Sequence, residues 1–210
     1  MKGSRVLYFV FIFIFSYILF AQDNSKPDAL AMYRSGSYQG AISVCLKELE
    51  DTPYNMDSYT VLCWSLVKLR AYKKALTYAK KANSIAKSDK RIVEVLGEIH
   101  YGLGNNIEAL KWFEDYAAIA PNGERIDIVY YYMGEIFIKF GEYNHADIAL
   151  TTALTITSNA VWWSRLGYAR EMAGDNKWAL SAYKKALQLN PGDANALKGK
   201  ERVEVKIHNG

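Results

Sequence analysis

Apolar and polar residues alternate with a helical period along most of the chain, and the alternation itself repeats. It is clearest from 160 to 191, AVWWSRLGYAREMAGDNKWALSAYKKALQLNP. There Trp163, Leu166 and Gly167 mark the inner face of one helix, Gly174 ends it, and Ala179, Tyr183 and Ala186 mark a second helix closed by Pro191. The alanine that opens each second helix recurs as Ala41, Ala75, Ala109, Ala146 and Ala179, at steps of 34, 34, 37 and 33 residues. Four consecutive steps near 34 predict a row of helix pairs, each too small to bury its apolar face without its neighbours.

A bulky residue, Leu-Gly one turn on, a glycine between the helices, Ala-x3-aromatic and a closing proline resemble the tetratricopeptide repeat (TPR). The resemblance implies an all-α fold, a right-handed α-solenoid of about five helix–turn–helix units. The units fall at about 26–55, 56–89, 90–121, 127–158 and 160–191, followed by a capping helix at 193–207, so that 22–210 form one TPR domain. The first unit is abbreviated and matches only from Gly36, Tyr38, Ala41 and Ile42 to Pro53. In the second, Cys63 replaces the small residue of the close helix crossing and Arg70 replaces the helix-ending glycine, so a differently built turn is expected there. The three residues inserted before the fourth unit, around Asn122, Gly123 and Glu124, read as a turn or as a one-turn extension of the next helix.

Residues 1–21 have another character. Lys2 and Arg5 precede an almost unbroken apolar run from Val6 to Phe20, followed by Ala21 and a polar stretch. This is the pattern of a signal peptide, and the run is short of the roughly 20 apolar residues of a spanning helix. Leu19 stands where a cleavage site carries a small residue, which leaves a signal anchor as the alternative. The expectation is export to the periplasm or cell envelope, with membrane contact only if this segment is uncleaved. Export would place Cys45 and Cys63 in an oxidising space. They read either as small buried residues at tight helix crossings or as a disulfide joining the first two units.

Composition narrows the chemistry. The formal net charge of +4 includes Lys2 and Arg5, and no block of like charge is present, which gives no nucleic-acid footprint. His100, His145 and His208 fall on positions that bring no two together as metal ligands, and neither cysteine has a histidine beside it in sequence. Gly102-Leu103-Gly104 lacks the preceding strand of a phosphate loop. The sequence therefore offers no catalytic residue, no cofactor and no metal site, and the chain reads as a non-enzyme.

The resemblance places the concave face on fixed offsets of each first helix. The candidates for partner binding are Trp64, Arg91, Glu94, Glu98, Tyr101, Tyr131, Glu135, Ile138, Tyr168 and Glu171. One TPR subclass grips a terminal carboxylate with Lys, Arg and Asn at these places, and here Thr60, Trp64, Glu94, Glu98, Tyr131 and Glu135 stand instead. Carboxylates among aromatic rings suit a protein segment with basic and bulky apolar residues, against the alternative of a bare solvated face. Trp162, beside the core position of Trp163, is expected to point elsewhere, onto the insertion or toward a partner. The reading is an exported adaptor, with a membrane-anchored or self-associating scaffold as the alternative.

Overall fold

The computed structural model describes residues 28–209, so the signal or anchor reading of residues 1–21 lies outside the described residues. Among them the chain is entirely helical: α1 (Ala29–Arg34), α2 (Tyr38–Asp51), α3 (Met56–Lys68), α4 (Tyr72–Ile85), α5 (Lys90–Gly102), α6 (Asn106–Ile119), α7 (Ile126–Phe140), α8 (Tyr143–Ile156), α9 (Ala160–Ala173), α10 (Asn176–Leu189) and α11 (Ala194–Asn209). No helix among the described residues is long and apolar enough to cross a membrane.

Consecutive helices pack as antiparallel neighbours, and the array has a direction of curvature. Odd helices also touch odd helices, α1 on α3, α3 on α5, α7 on α9 and α9 on α11, whereas no two even helices pack closely among the described residues. Helices crowded together on one side and spread apart on the other bend the row into an α-solenoid with α3, α5, α7, α9 and α11 along its inner wall.

The starts of α3, α5 and α9 are fixed by Asn55, Asp89 and Asn159, whose side chains accept from the first free backbone N–H groups. The even helices lack such caps and follow a common turn. In it the first or second residue after the odd helix takes a left-handed conformation, and two backbone bonds close the helix end, as Gly104 N to Tyr101 O at 3.0 Å and Asn105 N to His100 O at 2.9 Å. The expectation of a different turn at Arg70 is not met. Arg70 adopts φ 56° and makes the same pair of bonds, to Val67 O at 2.9 Å and from Ala71 N to Leu66 O at 2.8 Å. The tight connection between two packed helices imposes the left-handed residue, whatever its side chain.

In the third, fourth and fifth pairs a glycine on the odd helix faces a large residue sixteen positions on. A Cβ added at Gly97 would meet the Phe113 ring at 2.4 Å, one at Gly134 would meet Leu150 at 2.6 Å, and one at Gly167 would meet Tyr183 at 2.6 Å. The equivalent residues of α3 and α4 are Cys63 and Ala79, both fully buried. The volumes are exchanged across the crossing, which accounts for a cysteine where the other units need glycine. The inserted residues 120–125 form turns rather than a longer helix, with Gly123 N donating to Ala120 O at 2.9 Å and Ile126 N to Gly123 O at 3.1 Å.

Candidate partner-binding groove

The inner wall is crossed by a ladder of ion pairs, each joining an acid on one odd helix to a base about one repeat further along. Asp57 receives Arg91 at 2.5 Å. Glu94 receives Arg125 at 2.8 Å, and the same guanidinium reaches Glu98. Glu135 receives Arg165 at 2.5 Å, and Glu171 receives Arg202 at 2.7 Å and Lys206 at 2.9 Å. Arg125 comes from the insertion, as the residue preceding α7, so the longer loop supplies the cation that the α5 carboxylates lack locally.

The stoichiometry changes along the ladder. At α5 two carboxylates share one guanidinium, at α7 the ratio is one to one, and at α9 one carboxylate holds two cations. Burial together with the Glu98 charge lifts Glu94 well above the ordinary carboxylate range, with Arg125 opposing. Burial would raise Glu171 also, but hydrogen bonds from Arg202, Lys206 and the Tyr183 hydroxyl outweigh it and hold the group down to about 2.

The aromatic candidates also have partners inside the chain. Trp64 lies against Tyr33 with centroids 5.7 Å apart, Tyr101 carries the Lys139 ammonium over its face at 3.8 Å, and Tyr168 carries Arg165 at 5.2 Å. Tyr131 stacks on Trp162 at 5.0 Å and 12°. Trp162 thus turns inward, is nearly buried, and helps build the wall rather than pointing away. Ile138 is half-buried against the α8–α9 core.

Three cavities open along this wall. The largest, about 540 Å³, sits between α1, α3 and the Asp57–Arg91 pair, with Glu48 and Trp64 in its lining. A second, about 270 Å³, is lined by Trp64, Lys90, Arg91, Glu94, Tyr116, Glu124 and Arg125. A third, about 260 Å³, lies between α9 and α11 and collects Arg165, Lys198 and Arg202 around Ser164, Tyr168 and Asn195. The groove thus runs from a mostly acidic first cavity to a basic last one.

Cys45 and Cys63 are free and buried, and the disulfide considered from sequence is not formed. Burial pushes both thiols up to about 12, which removes them as nucleophiles near neutral pH. Among the described residues no three His, Cys, Asp or Glu side chains group as metal ligands.

Arg125, Arg165, Arg202 and Lys206 are groove residues that reasoning from single repeats does not find. The signal was present as acids followed by bases some thirty positions later, and it becomes visible only when adjacent repeats are aligned and read together.

Helix pairs stacked in one row with an inner wall of first helices define a TPR-like α-solenoid. Comparison with known proteins agrees, since residues 160–193 match the model of the tetratricopeptide repeat family. A TPR repeat-containing protein of Methanocaldococcus jannaschii is 28% identical over 160 residues, 74% of this chain and 27% of that protein, so the chain spans about a quarter of this relative's length. Among solved structures, Pseudomonas aeruginosa pilF superposes with a TM-score of 0.75 at 16% identity, covering 86% of this chain and 81% of that one. YrrB, described as a TPR protein with an unusual peptide-binding site, gives 0.70 at 19% identity over 79% and 84% of the two chains. At these identities the structures speak for the fold.

Proposed function

We propose that this chain is an exported, non-catalytic TPR adaptor that binds a segment of another protein in its groove. The observation that carries the reading is the inner wall itself. Its polar and aromatic side chains are preorganised by the cross-repeat ladder and surround three cavities. A protein segment that displaces water from such fixed, partly desolvated groups loses little to ordering them. Because Glu135 and Glu171 are already neutralised by the chain's own bases, the groove does not call for a uniformly basic partner. The periplasm or cell envelope as its place follows from the sequence pattern of residues 1–21 alone.

The test is crosslinked capture from the native envelope, comparing the wild type with an Asp57→Arg, Lys198→Glu variant. Both residues are exposed at cavity mouths, so the fold should survive. Loss of a specific captured protein in the variant supports the groove; undiminished capture removes it. A second reading, a self-associating scaffold, draws on Ile107, Ile148 and Trp178, each about two-thirds exposed on the even helices. An Ile148→Asp change that abolishes self-capture would favour it.

A further inference from the structure

We propose that the Glu94–Glu98–Arg125 cluster is a receptor for one cationic side chain, a lysine or an arginine, of the segment that lies in the groove. This rests on the groove reading above and names the chemistry at one point of it. At the α5 rung two carboxylates share one guanidinium, as Asp57 and Asp89 share Arg91, but here both acids are buried, whereas Asp57 stands open to solvent. Glu94 is 1% exposed, and its Oε2 has no hydrogen-bond partner although the residue lines the 270 Å³ cavity. A buried carboxylate oxygen without a donor is costly, and an entering ammonium or guanidinium supplies both the donor and the missing charge.

The surroundings fit such a visitor. Arg91 cannot serve from within, because Asp57 and Asp89 already hold its guanidinium. Trp64 lines the same cavity and supplies an aromatic ring for the stem or head of a long cationic side chain. Lys90 on the rim is the one opposing charge without an ion pair among the described residues.

The charge deficit has a second consequence. Burial and Glu98 keep Glu94 protonated to higher pH than an ordinary carboxylate, with Arg125 opposing. The tyrosines packed around it, Tyr33 of α1, Tyr116 of α6 and Tyr132 of α7, are themselves raised by burial and stay neutral. A cation that prefers ionised Glu94 therefore enters with release of a proton, and its affinity rises with pH toward the raised value.

The probe is acetyl-Ala-Lys-Ala-amide, with its norleucine isostere as the neutral control, titrated into the full-length chain carrying fluorinated tryptophan. The ¹⁹F resonance of Trp64 is identified by its loss in Trp64→Phe. The expected result is a saturable shift of that resonance with the lysyl probe and none with the norleucyl one. The affinity should rise between pH 6 and pH 9, with a slope approaching tenfold per pH unit on the acid side, the mark of one linked proton. Glu94→Gln, which keeps the shape and removes the charge, should reduce binding at least tenfold and flatten the pH profile, while Lys90→Gln should tighten it. Equal shifts with both probes, or full binding by Glu94→Gln, overturn the assignment. If the envelope partner is still lost in the Asp57→Arg, Lys198→Glu variant in that case, the groove stands and only the cation receptor falls.

Discussion

Replacing Arg70 by glycine should make the protein more stable, although it deletes a whole charged side chain. Arg70 sits at φ 56° in the turn where the other units have Gly36, Gly104, Gly141 and Gly174 at 76° to 89°. A left-handed residue with a Cβ costs about 1–2 kcal/mol. Glycine removes that strain but adds about 0.5–1 kcal/mol of unfolded-state freedom. The Arg70 side chain is exposed and makes no ion pair among the described residues, so its loss removes little else. The net expectation is a gain of about 0.5–1 kcal/mol. The mirror experiment is Gly104→Ala, where an added Cβ meets nothing within 4 Å and only the backbone is taxed. That change should cost about 1 kcal/mol. Urea unfolding followed by circular dichroism reads both, with a midpoint shift of about 0.3 M upward for Arg70→Gly at unchanged slope. Hydrogen exchange at the α3–α4 turn shows whether the gain is local, as expected of a linear array. A lower midpoint for Arg70→Gly together with a neutral Gly104→Ala would refute the reasoning.

Two further outcomes test the packing and the ladder. Glu171, depressed from 4.5 to about 2 and 3% exposed, contributes on the order of 3 kcal/mol that is fully present above pH 4.5 and lost as pH falls toward 2. Thermal melts should therefore show Glu171→Gln well below the wild type at pH 7 and close to it near pH 2; an equal gap at both would contradict the assignment. Gly97→Cys alone forces a Cβ against Phe113 at 2.4 Å and should destabilise by about 1–3 kcal/mol. Combined with Phe113→Ala it copies the Cys63–Ala79 pair, so the double variant should lose at least about 1 kcal/mol less than the two single losses added together. Strict additivity in a double-mutant cycle would show that the exchange of volumes is not what admits Cys63.

The helices were legible because their signals are local and repeated. Ala41, Ala75, Ala109, Ala146 and Ala179, all fully buried at helix crossings, recur so evenly that the row of pairs can be drawn before any coordinate is known. The partners that the inner-wall side chains find within the chain were not legible. Glu98 and Glu135 look like unpaired acids when each repeat is read alone, since Arg125 and Arg165 lie 27 and 30 residues away and meet them only through stacking. Trp162 was misjudged for a related reason. Within its own helix it points away from the core of that pair, and the ring it stacks on, Tyr131, belongs to the preceding unit. Arg70 failed in the opposite sense, because residue preference in the turn was overruled by the geometry of two helices already fixed by their packing.

The ladder also bears on how such a chain can change length. Repeat arrays grow and shrink by copying or dropping whole units, and a junction made only of apolar surface accepts almost any neighbour. Here each inner helix or the loop before it carries the counter-ion of the preceding inner helix, and the ratio of acids to bases varies along the row. Excising α7 and α8 together with the loop before them would bring the α5 carboxylates up against α9 without Arg125, and would leave Arg165 without Glu135. The units are therefore ordered like words in a sentence rather than beads on a string, and a shuffled copy would inherit mismatched charges at every new seam.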